Sequence, residues 1–243
     1  MKIKNKEKFC RNVIANAVIG VFLVVFVLTI FINSLEKKTV TASNSEYNGT
    51  IYAGDKNSKN VSLMVNVYWG NEYLEKMLET FDKYEIKTTF FVGGKWALEN
   101  QLLLQKLKAK GHEIASHGYS HKDHSKLGYE ENLIEIQKCH SVVKDVSGVE
   151  MELFAPPSGA YNKSTIKAAT ELGYKTIMWT RDTIDWRDKN AGLIYNRAVT
   201  GLAGGDLILM HPTKCTAEAL EQIIKHIMEK GFNVTTVSQT LSL

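Results

Sequence analysis

The stretch His112-Glu113-Ile114-Ala115-Ser116-His117-Gly118-Tyr119-Ser120-His121 decides the fold. Its first half, residues 112–116, reads as a short strand. Its second half holds two histidines four residues apart, which face the same way if the backbone makes one helical turn. A neutral imidazole is a common ligand for a zinc-like ion. A ligand-type pair where a strand ends is the arrangement of α/β folds, whose functional groups collect on the loops that follow parallel strands.

Outward from that strand, apolar runs alternate with helical stripes. Upstream, residues 61–67 and 88–92 read as strands, and Leu74, Met77, Leu78 and Phe81 recur at helical spacing between them. Downstream, residues 153–154, 174–179, 206–210 and 233–237 read as strands, and the helical stripes between them close at Gly173 and Gly231. Strict alternation implies a parallel sheet with right-handed crossovers. Seven or so strand–helix units in about 180 residues are too few for an eight-fold barrel. The expected architecture is therefore a shortened, irregular α/β barrel, with a doubly wound open sheet as the second topology.

The remaining chain is an appendage to this domain. Residues 13–32, VIANAVIGVFLVVFVLTIFI, carry no charge and as a helix would span roughly 30 Å of hydrocarbon. Lys2, Lys4, Lys6, Lys8 and Arg11 precede them. The basic flank predicts a cytoplasmic tail over residues 1–11, a transmembrane anchor over 12–32 and an exported domain. A cleaved secretory signal is the rival reading. Residues 33–60 are polar and read as a linker, within which Thr50-Ile51-Tyr52 is a candidate edge strand. The net charge of +4 is concentrated in the tail, and no basic stripe interleaved with aromatics is present, which removes nucleic acid as a partner. Three cysteines without a CxxC supply no disulfide framework.

If the sheet curls into a barrel, its rim gathers Asn66, Val67, Tyr68 and Trp69, then Gly93, Lys95 and Trp96, then His117 and His121, then residues 155–161, then Asp182, Asp185 and Trp186, and last His211. Imidazoles, carboxylates and aromatic faces together suit metal-assisted hydrolysis of a sugar derivative, since aromatics stack on sugar rings and a metal activates water.

The order of these segments resembles the polysaccharide deacetylases, the NodB-homology group of carbohydrate esterases. His117-Gly118-Tyr119-Ser120-His121 matches the family's His-Ser/Thr-x-x-His in both histidines, Asp182-Thr183-Ile184-Asp185-Trp186 matches Asp-x-x-Asp-Trp, and Leu207-Ile208-Leu209-Met210-His211-Pro212 fits Ile-x-Leu-x-His with Leu207 in the first position. Residues 63–70 stand where the family has Thr-Phe-Asp-Asp-Gly, and Ala155-Pro156-Pro157-Ser158-Gly159 where it has Arg-Pro-Pro-Tyr-Gly. The resemblance implies a distorted (β/α)7 barrel over residues 61–240. It also implies a divalent metal, zinc in many members, held here by His117 and His121, and removal of N-acetyl groups from peptidoglycan or chitin-like glycans. By the same resemblance His211 protonates the leaving amine, Asp185 or Asp182 tunes it, and Trp186, Trp69, Pro156 and Ser158 meet the glycan.

Three positions depart from the pattern. The general-base aspartate is Asn66, the third metal ligand is Val67 and the arginine that orients the base is Ala155. A carboxamide takes no proton at ordinary pH, and an alkyl group binds no metal. Two functions follow. One is a membrane-anchored deacetylase with a remodelled centre, in which His124, at i+7 from His117, supplies the missing ligand on a continued helix. The other is a pseudoenzyme that keeps the glycan groove without the chemistry.

Overall fold

The computed structural model describes residues 46–47 and 49–243. The expected tail (1–11) and anchor (12–32) lie outside the described residues, as does most of the linker. Among the described residues, no helix is long and apolar enough to cross a membrane.

The domain starts earlier than its first long strand. A two-residue strand β1 (Glu46–Tyr47) pairs antiparallel with β2 (Thr50–Ile51), the candidate edge strand, and β2 pairs parallel with β7 (Lys175–Ile177). β3 (Asn60–Val67), β4 (Thr89–Val92), β5 (Glu113–Ser116) and β6 (Leu153–Phe154) continue the parallel ladder to β7, and on the other side β3 pairs with β9 (Leu207–Met210), which pairs with β8 (Arg181–Asp182). These are the parallel strands of a (β/α)7 barrel, but the ladder is open between β7 and β8. The sheet is curled rather than closed. The expected strand over residues 174–179 is cut short by that opening: after Ile177 the backbone leaves the ladder and re-enters it at Arg181.

Helices cover the outside. α1 (Asn71–Lys83) buries Leu74, Met77, Leu78 and Phe81, the stripe seen in the sequence. α2 (Gly94–Glu99) and α3 (Gln101–Ala109) follow β4. α4 (Tyr129–Ser147), α5 (Lys163–Glu171), α6 (Ala191–Val199) and α7 (Lys214–Glu229) follow the later strands. Strand alternation splits the core into two layers. Leu63, Val65 and Val67 face the helices with Phe81, Phe90 and Ile223, while Met64, Phe91, Ala115, Ala155 and Ile177 fill the lumen.

The end of the chain closes the floor of the lumen. Residues 233–237 are not one strand: β10 (Asn233–Val234) pairs with the start of β3, and Val237 opens α8 (Val237–Leu241). Val237 and Leu241 pack into the lumen cluster, and the Val237 and Ser238 N–H groups donate to Thr89 Oγ1 (2.7 Å) and Glu113 Oε2 (3.3 Å). With the floor filled, the lumen opens at the opposite rim.

Candidate active site

β3 ends on Asn66 and Val67, and strand alternation sends them to opposite faces. Asn66 is 3% exposed and lines a cavity of about 320 Å³ at the rim. Its Oδ1 is buried without a hydrogen-bond partner. Val67 is fully buried in the layer facing the helices and takes no part in the cavity wall.

β5 delivers the histidine pair. The segment after it is no helical turn, because Gly118 (φ 71°) and His121 (φ 56°) both take left-handed backbone. The rings meet all the same, with centroids 5.1 Å apart. The His117 Nδ1–H donates to the Ala155 carbonyl at 2.8 Å, which leaves Nε2 as the lone-pair nitrogen. Burial is the main cause that holds the pKa of His117 well below the usual histidine value and lowers that of His121. Tyr68 stacks on His121 at 4.7 Å. Glu135, buried on α4, accepts the Ser120 N–H (2.8 Å) and pairs with Lys122, so it pins the loop that carries His121.

His211 follows β9 and is held by Asp185. Its Nδ1 lies 2.8 Å from Asp185 Oδ1, while Oδ2 accepts the His211 backbone N–H (2.6 Å) and the Thr216 hydroxyl (2.5 Å). Thr213 caps α7, so the Asp185 carboxylate sits against the first turn of a helix. A carboxylate on Nδ1 fixes the tautomer and leaves Nε2 to meet a ligand. Trp69 lies parallel to the His211 ring, with centroids 5.9 Å apart. Gly70 (φ 86°) permits that approach: a Cβ there would stand 2.0 Å from the Pro212 carbonyl oxygen.

Asp182, Ser158 and Trp186 complete the expected part of the wall, with Trp186 57% exposed. Asp182 Oδ1 accepts the Ile184 N–H at 2.8 Å. The structure thus brings every proposed site residue to the cavity wall except Asp185, which stands behind His211, and Pro156, which is buried away from the cavity. Trp96 belongs to the core, with its Nε1–H donating to Asn71 Oδ1. Trp179 also lines the cavity and was not among the expected site residues, because it reads as the end of a strand. Its ring packs against Gly159, where a Cβ would lie 2.7 Å away, a contact that no sequence pattern reports.

His124 does not extend the pair. It opens a short 3-10 turn (His124–Lys126), its Nδ1 is 2.7 Å from Asn132 Oδ1, and it is absent from the cavity wall. Among the described residues, no group of three or more His, Cys, Asp or Glu is placed to hold a metal ion. A catalytic zinc takes three protein ligands, and here two imidazoles converge while the third position faces the helices. The donors present do not fit such a centre. What remains is a sugar-sized cavity with aromatic walls, a carboxylate-backed imidazole able to hold a proton, and a carboxamide where a base would stand.

A profile described as polysaccharide deacetylase matches residues 53–177. The chain is 41% identical over 191 residues to the uncharacterized protein YlxY of Bacillus subtilis, covering 79% of this chain and 60% of that one. It is 29% identical over 185 residues to the peptidoglycan-N-acetylglucosamine deacetylase PgdA of Listeria monocytogenes, covering 76% of this chain and 39% of that one. The chain therefore spans less than two thirds of either relative. Among solved structures, a wild-type CE4 family pseudoenzyme from Bacillus anthracis superposes with a TM-score of 0.78 at 35% identity, covering 81% of this chain and 70% of that one. A mutant of that pseudoenzyme, described as having restored enzymatic activity, superposes equally well (TM-score 0.78, 33% identity).

Proposed function

The chain belongs to the polysaccharide deacetylase family, and from that premise we propose that it binds an amino-sugar glycan of the cell wall, of peptidoglycan or chitin-like type, as a catalytically silent member. Asn66 carries this reading: the residue in the base position lines the cavity but has no proton-accepting group. Val67 and Ala155 agree with it. One is buried against the helices, the other fills the lumen, and neither offers a ligand or an orienting charge. The family's deacetylases are metal-dependent in general, and the two-imidazole set of this chain falls one ligand short.

The binding half of the site is intact. Trp69 and Trp186 expose their rings beside His211 and Asp182, so a pyranose laid on either face has polar groups within reach of its hydroxyls. Calorimetric titration of the full chain with chitooligosaccharides and soluble peptidoglycan fragments tests this. Saturable binding is expected, weakened about ten-fold by Trp186→Ala through loss of one aromatic face. Absence of binding to both ligands rejects the proposal.

A second reading, slow deacetylation, is favoured by the preserved hydrogen-bonded set of His211, Asp185 and Thr216. Loss of general-base help slows a reaction by roughly 10²–10⁴-fold without abolishing it. Acetate release distinguishes the two readings. The proposal includes the anchor: residues 12–32 hold the domain on the outer face of the cell membrane, with the amino terminus in the cytoplasm, as the uncharged span behind a basic flank supports. Recovery of the chain in the membrane fraction after carbonate washing is expected.

A further inference from the structure

We propose that Asp182 is a positioning residue: it holds Ile184 in the left-handed turn that presents Asp185 to His211 and Trp186 to a ligand. What the turn serves rests on the glycan-binding reading above. The starting observation is the backbone of Ile184, whose φ of 53° is left-handed. A β-branched side chain is crowded there, and such a residue persists only where its surroundings over-determine it. Among the described residues, five that are not glycine have positive φ, and three of these, His121, Ser158 and Ile184, stand on the loops that form the cavity wall. The strain thus collects at the site.

Ile184 is held from both sides. Before it, Thr183 is fixed to β9, its N–H (3.2 Å) and its hydroxyl (2.9 Å) both donating to the Leu209 carbonyl. Arg197 Nη1 donates to the Thr183 carbonyl at 2.9 Å. After it, the Arg187 and Asp188 N–H groups donate to the Ile184 carbonyl at 3.2 and 3.0 Å. The remaining backbone group, the Ile184 N–H, donates to Asp182 Oδ1 at 2.8 Å. Among the described residues, this is the one side-chain hydrogen bond that Ile184 makes.

The turn changes where the next two residues go. β8 runs parallel to β9 with Asp182 beside Leu209, so an extended residue at 184 would set Asp185 level with Pro212, one step past His211. With the turn, Asp185 is 3% exposed and grips His211 at both its ring Nδ1 and its backbone N–H. Trp186 follows with its ring exposed at the cavity wall. Asp182 also lines the cavity, so the rival role is direct contact with the glycan. The two roles differ in what repairs a loss. Glycine adopts left-handed backbone without the crowding of a side chain, so Ile184→Gly repairs a lost turn and cannot repair a lost contact.

The test uses the full chain with isotope-labelled histidine at mildly alkaline pH. Ring-nitrogen NMR reads the His211 tautomer, assigned by the signals missing from His211→Ala, and calorimetry reads chitotetraose affinity. In the wild type, His211 is expected in the Nδ1–H form that Asp185 selects. Asp182→Ala is expected to lose that signature together with about ten-fold in affinity. Adding Ile184→Gly to it is expected to restore both. Asp182→Asn is expected to keep the signature, because its amide oxygen still accepts the Ile184 N–H. Weakened binding by Asp182→Ala with the His211 signature intact overturns the proposal in favour of direct contact. Wild-type behaviour of Asp182→Ala, or a double variant that stays defective, also overturns it. If Asp182→Ala alone does not fold, a folded double variant with His211 in the Nδ1–H form supports the proposal, and failure of the double variant to fold overturns it. The His211 signature needs no ligand, so absence of chitotetraose binding by the wild type overturns the glycan reading separately.

Discussion

Asn66 and an aspartate have nearly the same shape, and the difference between them is an uncharged NH2 in place of an ionisable oxygen. At the rim that difference decides whether water can be deprotonated. Val67 is the neighbouring substitution and has a different physical consequence. It is fully buried among apolar side chains on the helix side of β3, so Val67→Asp places a carboxylate where nothing pairs with it. A loss of about 2–4 kcal/mol in unfolding free energy is expected, measured by urea titration, with no gain in zinc affinity. An unchanged midpoint would show that the position can turn into the cavity. His117, His121, Asp182, Asp185, Trp186 and His211 were legible in the sequence because each sits in a short local pattern at a strand end. Trp179 and Glu135 were not. The contacts that define their roles, to Gly159 and to the Ser120 N–H, join residues far apart in the chain, and no spacing encodes them.

Between elements, the loop after β3 and the loop after β9 lean on each other at Gly70 and Pro212. Gly70→Ala adds a Cβ 2.0 Å from the Pro212 carbonyl oxygen at a residue with φ 86°, a strained conformation for any side chain. A cost of about 1–3 kcal/mol is expected, together with loss of glycan affinity as Trp69 separates from His211. Retained affinity at wild-type stability would show that the two loops are independent. A second prediction concerns His112, just before β5. It is buried against Phe81 and Phe90, and desolvation, aided by the Lys87 charge, pushes its pKa down to about 4 from 6.5. Between these values the unfolded chain binds more protons than the folded one, so stability falls as pH drops through that window. The thermal midpoint of His112→Phe is expected to decline less steeply from pH 6.5 to 4 than that of the wild type. Parallel curves would assign the acid sensitivity to other groups. At this scale most strand and helix types were legible from periodicity, but how the elements end was not: residues 233–237, expected as one strand, end β10 at Val234 and open α8 at Val237. His117 and His121 were expected to meet through a helical turn, and they meet through two left-handed residues instead.

Over the whole molecule, the alternation of parallel strands and helices was legible, whereas the closure of the sheet was not: alternation left a shortened barrel and an open sheet both standing, and the seven-unit barrel came from the family resemblance. Whether β7 bonds to β8 depends on sheet curvature, which periodicity does not report. The opening between them admits Trp179 to the cavity wall, and the floor is sealed from the far end of the chain by α8. Leu241→Ala is therefore expected to cost about 2–4 kcal/mol by emptying part of that seal, read as a lower urea midpoint with the cavity's ligand affinity unchanged. The result of this architecture is a rim where aromatic faces, two imidazoles and a carboxylate-backed histidine surround a carboxamide. The most direct measurement on it is acetate release from chitotetraose and from peptidoglycan by the full chain, with His211→Ala as the background. The expected result is release by the wild type no greater than that of His211→Ala. Release by the wild type that disappears in His211→Ala would contradict the claim that Asn66 has silenced the centre.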